Sequence, residues 1–337
     1  MKTEITYKGK TFVTGTPIVH LTDEEWHEIK RQFYQKPPIE EVIAQMEKLH
    51  NGKVMINKII AYYLKELMGD ALVSGCKFTV NDIFDCKELL EYAYSKTLLN
   101  KKVYIHEEPV KNIDRVLSIG GSAGCVRRVT NFPLKTAREI IQKYNVNGNY
   151  YDFSCGWAVR LLGALGEEIN YFGTDPNYLL TEKLYELGNL YKQTNNVDSI
   201  IDIRTQGSEH FVSEWEGKMG LAFSSPPYFD LEDYKHGDQS INYGNYEAWL
   251  EFFVRPTFEN IKRYLVKDGF FALNIKNTKK YQMLDDCIEI AYDLGFKKVN
   301  EHILKNGKRV SGAGRGSKAQ KIFVDTSEKI IVFKLTN

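Results

Sequence analysis

Long apolar runs are absent from this sequence of 337 residues. No stretch approaches the ~18 uninterrupted apolar residues that a membrane-spanning helix needs, so we expect no membrane span. The opening segment MKTEITYKGK also lacks the apolar core of a secretory signal, which predicts a cytoplasmic protein. With 9 prolines and 25 glycines, the chain has too few of either for a fibrous or linker-like protein. What remains is the composition of a globular protein with two domains, or with one large domain and an appendage.

Cysteines are few and scattered. They form no CxxC pair, and no histidine cluster lies near them at metal-ligand spacing, which argues against a disulfide framework and a zinc site. The five cysteines are Cys76, Cys86, Cys125, Cys155 and Cys287. Charge of one sign does not dominate either, because 45 Lys and Arg residues balance 44 Asp and Glu residues. A uniformly basic coat is thus excluded, whereas nucleic-acid binding through a local basic surface is not.

The two parts of the sequence differ in pattern. Over residues 21–99 apolar residues recur at helical spacing, and Thr22 is an N-cap candidate for the first helix. This part predicts a small helical bundle without a pattern typical of catalysis. A polar, glycine-bearing segment, residues 118–128, then interrupts the helices. We predict a mainly helical amino-terminal domain over residues 1–117, with DNA recognition as a candidate role, and a second domain over residues 118–337.

The second part alternates between strand and helix signals. Strands are predicted at residues 150–154, 170–173, 199–203, 221–224, 270–275, 297–302 and 329–335, and helices at 158–165, 178–191, 246–265 and 282–294. Such alternation predicts parallel strands with right-handed crossovers. The last strand follows a loop without an intervening helix, so we expect it to be antiparallel. The predicted fold class is α/β, with a Rossmann-like, doubly wound and mostly parallel seven-stranded sheet.

The turn after the first of these strands consists of small residues. In YYDFSCGWAVRLLGAL the strand ends at Asp152, and Ser154, Cys155 and Gly156 lead into a helix. Ligands of parallel sheets bind at the carboxyl ends of strands, and small residues let backbone N–H groups approach them. The turn is a candidate ligand site, although purely structural turns have the same composition.

Two further strand ends supply polar side chains. Asp175, in YFGTDPN, ends the next strand about 20 residues on, where a carboxylate accepts both ribose hydroxyls of a nucleoside cofactor. The alternative is an ordinary turn-forming aspartate before Pro176. After the third strand, RTQGSEHF places Ser208 and Glu209 near the expected position of an adenine ring.

The most specific motif is Ser225-Pro226-Pro227-Tyr228, directly after an apolar strand. The two prolines stiffen the loop and remove two amide donors, so the Pro226 carbonyl can point outward. A planar exocyclic amine is a poor nucleophile because its lone pair is delocalised into the ring. Hydrogen bonds from its N–H groups to Ser225 Oγ and the Pro226 carbonyl favour a more tetrahedral nitrogen. Tyr228 offers an aromatic face to an extruded base, and such stacking contributes about 1–3 kcal/mol.

From about Val129 to its end, the sequence resembles the S-adenosylmethionine-dependent DNA amino-methyltransferases, which methylate cytosine-N4 or adenine-N6. SPPY matches the family's (D/N/S)PP(Y/F) catalytic motif, and DFSCGW corresponds to its cofactor loop. In that loop the usual second glycine is Ala158, the usual proline is Phe153, and Trp157 is bulkier than the expected residue. Serine at the first motif position is commoner in cytosine-specific members, which favours cytosine-N4 over adenine-N6.

The resemblance implies S-adenosyl-L-methionine as cofactor, no metal, and DNA as partner, with the target base flipped from a duplex or taken from a single strand. The implied cofactor-binding residues are Asn131, Phe132 and Pro133 at the methionine end, Asp152, Ser154, Cys155 and Gly156 in the loop, Asp175 at the ribose, and Ser208 and Glu209 near adenine. No nucleophilic cysteine is needed. Because Cys155 lies in the cofactor turn, a covalent carbon-5 cytosine mechanism, which requires a cysteine after a proline on the catalytic loop, is disfavoured. A restriction partner is compatible with this class, and the sequence does not identify one.

Only about 70 residues separate the cofactor loop from the catalytic loop, so no recognition domain is inserted between them. DNA contacts are therefore expected from the amino-terminal helices, from the polar loop at residues 229–244, or from the late basic segment LKNGKRVSGAGRGSKAQK. The residues of that segment predicted to neutralise phosphates are Lys305, Lys308, Arg309, Arg315, Lys318 and Lys321. The alternative is a solvated loop between two strands.

Two other functions stay open. One is methylation of RNA, or of a protein amide, by the same catalytic turn. Glutamine-methylating relatives carry Asn at the first motif position, so Ser225 counts against the protein version. The other is a non-catalytic nucleic-acid-binding protein on a degenerate methyltransferase scaffold, which the altered cofactor loop keeps open.

Overall fold

A computed structural model describes residues 2–15, 19–99, 113–118, 124–229, 232–234, 240–278, 280–304 and 328–335. The chain folds into two compact units. The amino-terminal unit comprises Met1–Phe132, Tyr178–Asn195 and Asp230–Gln239, and the sheet unit comprises Pro133–Asn177, Asn196–Phe229 and Ser240–Asn337. The first boundary thus falls after residue 132 instead of residue 117. One reason is that the N–H groups of Lys77 and Phe78 donate to the carbonyl of Cys125, which ties that segment to the amino-terminal unit.

Helices and strands are numbered along the chain. The helices are α1 (Asp23–Tyr34), α2 (Ile39–His50), α3 (Asn57–Tyr63), α4 (Lys65–Gly69), α5 (Val80–Asp85), α6 (Lys87–Leu99), α7 (Ile113–Val116), α8 (Leu134–Tyr144), α9 (Val159–Leu165), α10 (Tyr178–Asn195), α11 (Tyr246–Trp249), α12 (Arg255–Tyr264) and α13 (Met283–Asp293). The strands are β1 (Lys2–Tyr7), β2 (Lys10–Gly15), β3 (Leu72–Val73), β4 (Asn149–Asp152), β5 (Asn170–Thr174), β6 (Ile201–Arg204), β7 (Met219–Ser224), β8 (Glu232–Asp233), β9 (Leu265–Ile275), β10 (Phe296–Ile303) and β11 (Lys329–Leu335). None of the helices in these described ranges is long and apolar enough to cross a membrane.

The amino-terminal unit contains α1–α7, α10 and two small antiparallel pairings. Thr22 caps α1 as predicted, because its side chain accepts from the N–H of Glu25 while the Glu25 carboxylate accepts from the N–H of Thr22. The hairpin of β1 and β2 was not predicted. Its turn residues, Lys8 and Gly9, both have positive φ, as a two-residue hairpin turn requires. An apolar core that includes Phe33, Phe84 and Leu90 holds the unit together.

The seven-stranded sheet has the strand order β10-β11-β9-β7-β4-β5-β6. The pairs β4–β5, β5–β6, β4–β7 and β7–β9 are parallel, and β11 runs antiparallel to both of its neighbours. The predicted α/β fold class is confirmed, including the reversed last strand: the sheet is Rossmann-like, doubly wound and mostly parallel. The chain moves from β4 outward to β6 and then returns to β7 on the other side of β4. The switch point between β4 and β7 is where open α/β sheets bind their ligands.

The predicted helix at residues 246–265 is divided. Between α11 and α12 the residues Leu250–Val254 form a π-helical turn, and the N–H of Arg255 donates to the carbonyl of Leu250. Pro256 follows directly and has no N–H to donate, which explains why the regular ladder is interrupted here. Trp249 and Phe258, on either side of the turn, are both buried in the core of the sheet unit, so the helical segment still covers the sheet.

Candidate active site

The turn after β4 has a backbone suited to glycine at two positions. Gly156 has φ +56° and Ala158 has φ +64°, and Ala158 is fully buried before the start of α9. Left-handed backbone costs a residue with a Cβ roughly 1–2 kcal/mol. Ala158 is the position at which the resembling family has its second glycine. The turn therefore has a glycine-type conformation at a position that alanine occupies.

Asp152 lies at the end of β4 and is fully buried. Arg160 Nε donates to both of its carboxylate oxygens, at 3.1 and 3.0 Å, and Tyr171 Oη donates to Oδ2 at 3.0 Å. Arg160 also donates through Nη2 to the carbonyl of Ser154. These contacts show that Asp152 shapes the turn, and its predicted contact with a cofactor stays a prediction. The sequence analysis missed Arg160 and Tyr171, since only the fold brings them to the strand end.

Cys155 lies inside the turn and against the neighbouring strand. A Cβ placed on Gly173 would come within 2.6 Å of Cys155 Sγ and 2.8 Å of Tyr171 Cε1, so glycine is needed there. Burial raises the pKa of the Cys155 thiol well above its usual range, because the thiolate would lose its hydration. The thiol is thus a packing group, and a contact between Cys155 and a ligand would have to involve its main chain.

Asp175 follows β5 and faces the turn after β4. Its Oδ2 accepts from the N–H of Gly156 at 3.3 Å, and its Oδ1 accepts from the N–H of Asn177 at 3.1 Å. The carboxylate is 8% exposed, and burial raises its pKa to about 6. The structure thus brings together Gly156 and Asp175, two residues predicted for the same ligand from separate segments of the sequence.

Ser208 and Glu209 follow β6. The Ser208 hydroxyl is buried and lies 2.8 Å from Thr257 Oγ1 on α12, so its contact is with a helix. Glu209 Oε1 accepts from Tyr243 Oη at 3.1 Å. The second oxygen of Glu209, Oε2, is buried and has no hydrogen-bond partner in the part of the chain that the structure describes. Of the two residues, Glu209 is the one with an acceptor to spare for a ligand.

The SPPY loop follows β7 and lies beside the turn after β4. The hydroxyl of Ser224, the last residue of β7, donates to the Ser154 carbonyl at 3.1 Å. Ser225 is half-buried, and its Oγ accepts from Asn274 Nδ2 of β9 at 2.7 Å. Pro226 is buried, whereas Pro227 is half-buried. The motif predicted for catalysis and the motif predicted for the cofactor, about 70 residues apart in sequence, therefore meet at the switch point.

Tyr228 ends the SPPY loop with its ring half-buried. The Ser240 hydroxyl donates to its carbonyl at 3.2 Å, and Lys276 Nζ lies 6.0 Å from the ring centroid. The ring packs against the edge of the apolar core of the sheet unit. These contacts hold an aromatic side chain next to Ser225, with a lysine from the end of β9 close by.

Other predicted site residues are placed as follows. Asn131 and Phe132 belong to the amino-terminal unit, and Pro133 is the N-cap of α8 in the sheet unit. Their contact with a cofactor stays a prediction. The basic residues Lys305, Lys308, Arg309, Arg315, Lys318 and Lys321 lie outside the described residues, as does part of the polar loop at residues 229–244. Within the described ranges there is no group of three or more His, Cys, Asp or Glu residues arranged to hold a metal ion.

Comparison with known proteins identifies similar structures only at low similarity. A TehB-like SAM-dependent methyltransferase from Corynebacterium glutamicum is 19% identical, with 59% of this chain and 87% of that chain covered and a TM-score of 0.37. A SAM-dependent O-methyltransferase from Thermotoga maritima is 12% identical, with 62% and 68% covered and a TM-score of 0.39. The glycopeptide N-methyltransferase MtfA with S-adenosyl-L-homocysteine is 10% identical, with 61% and 91% covered and a TM-score of 0.42.

No protein-family model and no curated protein matches the sequence. The fold class accordingly follows from the strand order and strand directions of the sheet itself. The assignment of chemistry follows from the side chains at the switch point.

Proposed function

We propose that the protein is an S-adenosylmethionine-dependent methyltransferase that methylates the exocyclic amine of a base in DNA, with cytosine-N4 favoured over adenine-N6. One observation carries the proposal: the turn after β4 and the SPPY loop after β7 lie side by side, joined by the hydrogen bond from Ser224 to Ser154. A methyl donor held by the first loop would be adjacent to a nucleophile held by the second. That adjacency is the main requirement of a direct transfer.

The acceptors at the strand ends fit the nucleoside part of this cofactor. Asp175, at the end of β5, presents a buried carboxylate for ribose hydroxyls. Glu209, after β6, has the buried Oε2 without a partner in the described ranges, which suits an amine donor such as that of adenine. S-adenosyl-L-methionine supplies a methyl group on a positively charged sulfur. In this proposal Gly156, Asp175 and Glu209 hold its nucleoside part.

The SPPY loop acts on the other reactant. Ser225 Oγ and the Pro226 carbonyl accept hydrogen bonds from the two N–H groups of the target amine, and Tyr228 stacks on the base. Nothing in this loop needs to form a covalent bond with the base. The nitrogen would be oriented and made more tetrahedral, so that its lone pair displaces the cofactor's thioether from the methyl carbon. The S–C bond would break as the N–C bond forms, and the nitrogen would then lose one of its hydrogens as a proton. A paired base presents its amine to its partner strand, so the target base must be flipped or single-stranded.

The alternatives differ in substrate or in the absence of catalysis. Methylation of RNA would use the same side chains, and the described residues favour DNA only through the resemblance of the SPPY motif.

In a degenerate, non-catalytic scaffold the turn after β4 would be free to relax. Nothing would then keep Ala158 in its costly left-handed conformation. The left-handed geometry of the turn at Ala158 therefore supports a working cofactor site.

The deciding experiment combines binding with transfer. Calorimetric titration of S-adenosylmethionine tests the cofactor, and incubation with labelled cofactor and duplex DNA, single-stranded DNA or RNA, followed by nucleoside analysis, identifies the substrate and the base. We expect labelled N4-methylcytosine in DNA.

Ser225→Ala should abolish transfer while cofactor binding persists. Ser213 is an exposed serine elsewhere in the sheet unit, and Ser213→Ala serves as the matched control. Absence of cofactor binding would favour the scaffold interpretation, and label in RNA alone would favour the RNA methyltransferase.

A further inference from the structure

Asn274 contacts the serine of the SPPY loop from the neighbouring strand. It lies on β9, one residue before the strand ends, and is 1% exposed. Its Nδ2 donates to Ser225 Oγ at 2.7 Å and to Glu328 Oε1 at 3.0 Å. An amide nitrogen has two hydrogens, so these two bonds use its full donor capacity.

Glu328 determines which way the Asn274 amide faces. An ionised carboxylate only accepts hydrogen bonds, so the amide nitrogen, and not the amide oxygen, must face it. Glu328 is itself held: it directly precedes β11, which pairs with β9, and its carbonyl accepts from the N–H of Leu304 at 3.0 Å. A rotated amide would bring two oxygens together in a buried place, which is strongly unfavourable.

Because Asn274 donates, the oxygen of Ser225 has to accept. A hydroxyl oxygen has two lone pairs and one hydrogen, so one lone pair stays available and is directed away from Asn274. We infer that Asn274, oriented by Glu328, is a positioning residue that locks the Ser225 side chain with its remaining lone pair toward the substrate amine. The inference rests on the proposed function, since Asn274 acts only through Ser225.

This role predicts a specific kinetic result for the variant Asn274→Leu, whose side chain has nearly the same shape. Leucine removes the donor and offers no acceptor, so the Ser225 side chain would be free to rotate its oxygen away from the amine. We expect kcat for methyl transfer to fall by about 10- to 100-fold, the cost of misplacing one reacting group, with KM for both substrates unchanged. Asn300→Leu, on β10 and hydrogen-bonded to Tyr144, is the matched control and should keep the parent kcat.

A second variant separates positioning from folding. Asn274→Leu also leaves the Glu328 carboxylate without the hydrogen bond from Asn274, and that loss could lower stability. The double variant Asn274→Leu with Glu328→Gln replaces the carboxylate by a neutral amide but does not restore a donor to Ser225. The inference predicts that this double variant melts close to the parent protein and still transfers slowly. Recovery of parent kcat by the double variant, or normal kcat in Asn274→Leu while Ser225→Ala is inactive, would overturn it. If the parent protein itself binds the cofactor but methylates neither DNA nor RNA, the proposed function fails, and this inference fails with it.

Discussion

The hydroxyl of Ser224 donates a 3.1 Å hydrogen bond to the main-chain carbonyl of Ser154, which joins the last residue of β7 to the turn after β4. The same carbonyl accepts from Arg160, whose guanidinium binds the buried carboxylate of Asp152. One carbonyl therefore joins the turn after β4 to the SPPY loop and to α9. The relative placement of the two loops depends on this buried polar group.

Ser224→Ala tests that connection. Removal of the hydroxyl leaves the Ser154 carbonyl with Arg160 as a partner, so we expect a loss of only about 1 kcal/mol in the free energy of unfolding. Affinity for S-adenosylmethionine should decrease because the turn is less firmly placed. Urea denaturation and calorimetry on the same sample measure both effects. Ser225→Ala is the control and should keep the cofactor affinity of the parent protein. If Ser224→Ala binds the cofactor as tightly as the parent protein does, the two loops are not coupled.

Asp175 should make the stability of the cofactor-free protein depend on pH. Burial raises its pKa from near 3.8 to about 6, so between these values the folded state holds a proton that the unfolded state has released. Its contribution is fully present below about pH 4 and is lost as pH rises through 6, a change of roughly 3 kcal/mol. About 2 kcal/mol of this change falls between pH 4.5 and pH 7.5, and Asp175→Asn should remove that decline when unfolding by urea is measured at the two pH values. A parallel pH dependence in parent and variant would contradict the assignment.

The affinity for the cofactor should rise with pH, whereas the contribution of Asp175 to stability falls with pH. If ribose hydroxyls donate to the ionised carboxylate of Asp175, binding favours the deprotonated form, and affinity rises as pH rises through about 6. Calorimetric titration of S-adenosylmethionine at several pH values measures this. Asp175→Asn should bind weakly at every pH tested. Tight binding by that variant would remove Asp175 from the cofactor site.

Ala158→Gly should stabilise the protein. The left-handed backbone at φ +64° costs alanine roughly 1–2 kcal/mol, and the greater freedom of glycine in the unfolded chain offsets part of the gain. We expect a net increase of about 0.5–1 kcal/mol in the free energy of unfolding. Ala164→Gly, in the regular part of α9, is the control and should destabilise. Both are measured by urea denaturation, and destabilisation by both would mean that the turn is not strained at Ala158.

Gly173 lies on β5, and Gly173→Ala should destabilise the adjacent turn after β4. The added methyl group would overlap Cys155 Sγ and the Tyr171 ring, and overpacking of this kind costs about 1–3 kcal/mol. Combining it with Cys155→Ala should recover part of the loss, because the closest atom is removed. A double-mutant cycle measures the coupling, and strict additivity would contradict the packing contact.

The sequence was informative about elements whose pattern is local. The strands at residues 170–174 and 329–335 were predicted nearly to the residue, because short apolar runs between turn signals identify strands without knowledge of their neighbours. The hairpin of β1 and β2 was missed although its alternation and the Lys8-Gly9 turn were visible. The π-helical turn before Pro256 was missed because a regular helical periodicity continues through it.

By itself, the sequence determined the alternation of strands and helices in the sheet unit, the small residues of the turn after β4 and the stiff SPPY loop, since each depends on residues close together in the chain. Only the tertiary structure decided that β7 pairs with β4, and with it the contact between Ser224 and Ser154. The partners Arg160, Tyr171 and Asn274 likewise became visible only in the folded chain. The physical reason is that the hydrogen-bond partner of a side chain depends on which strands are adjacent in the sheet. The spacing of residues along the chain does not encode which strands are adjacent.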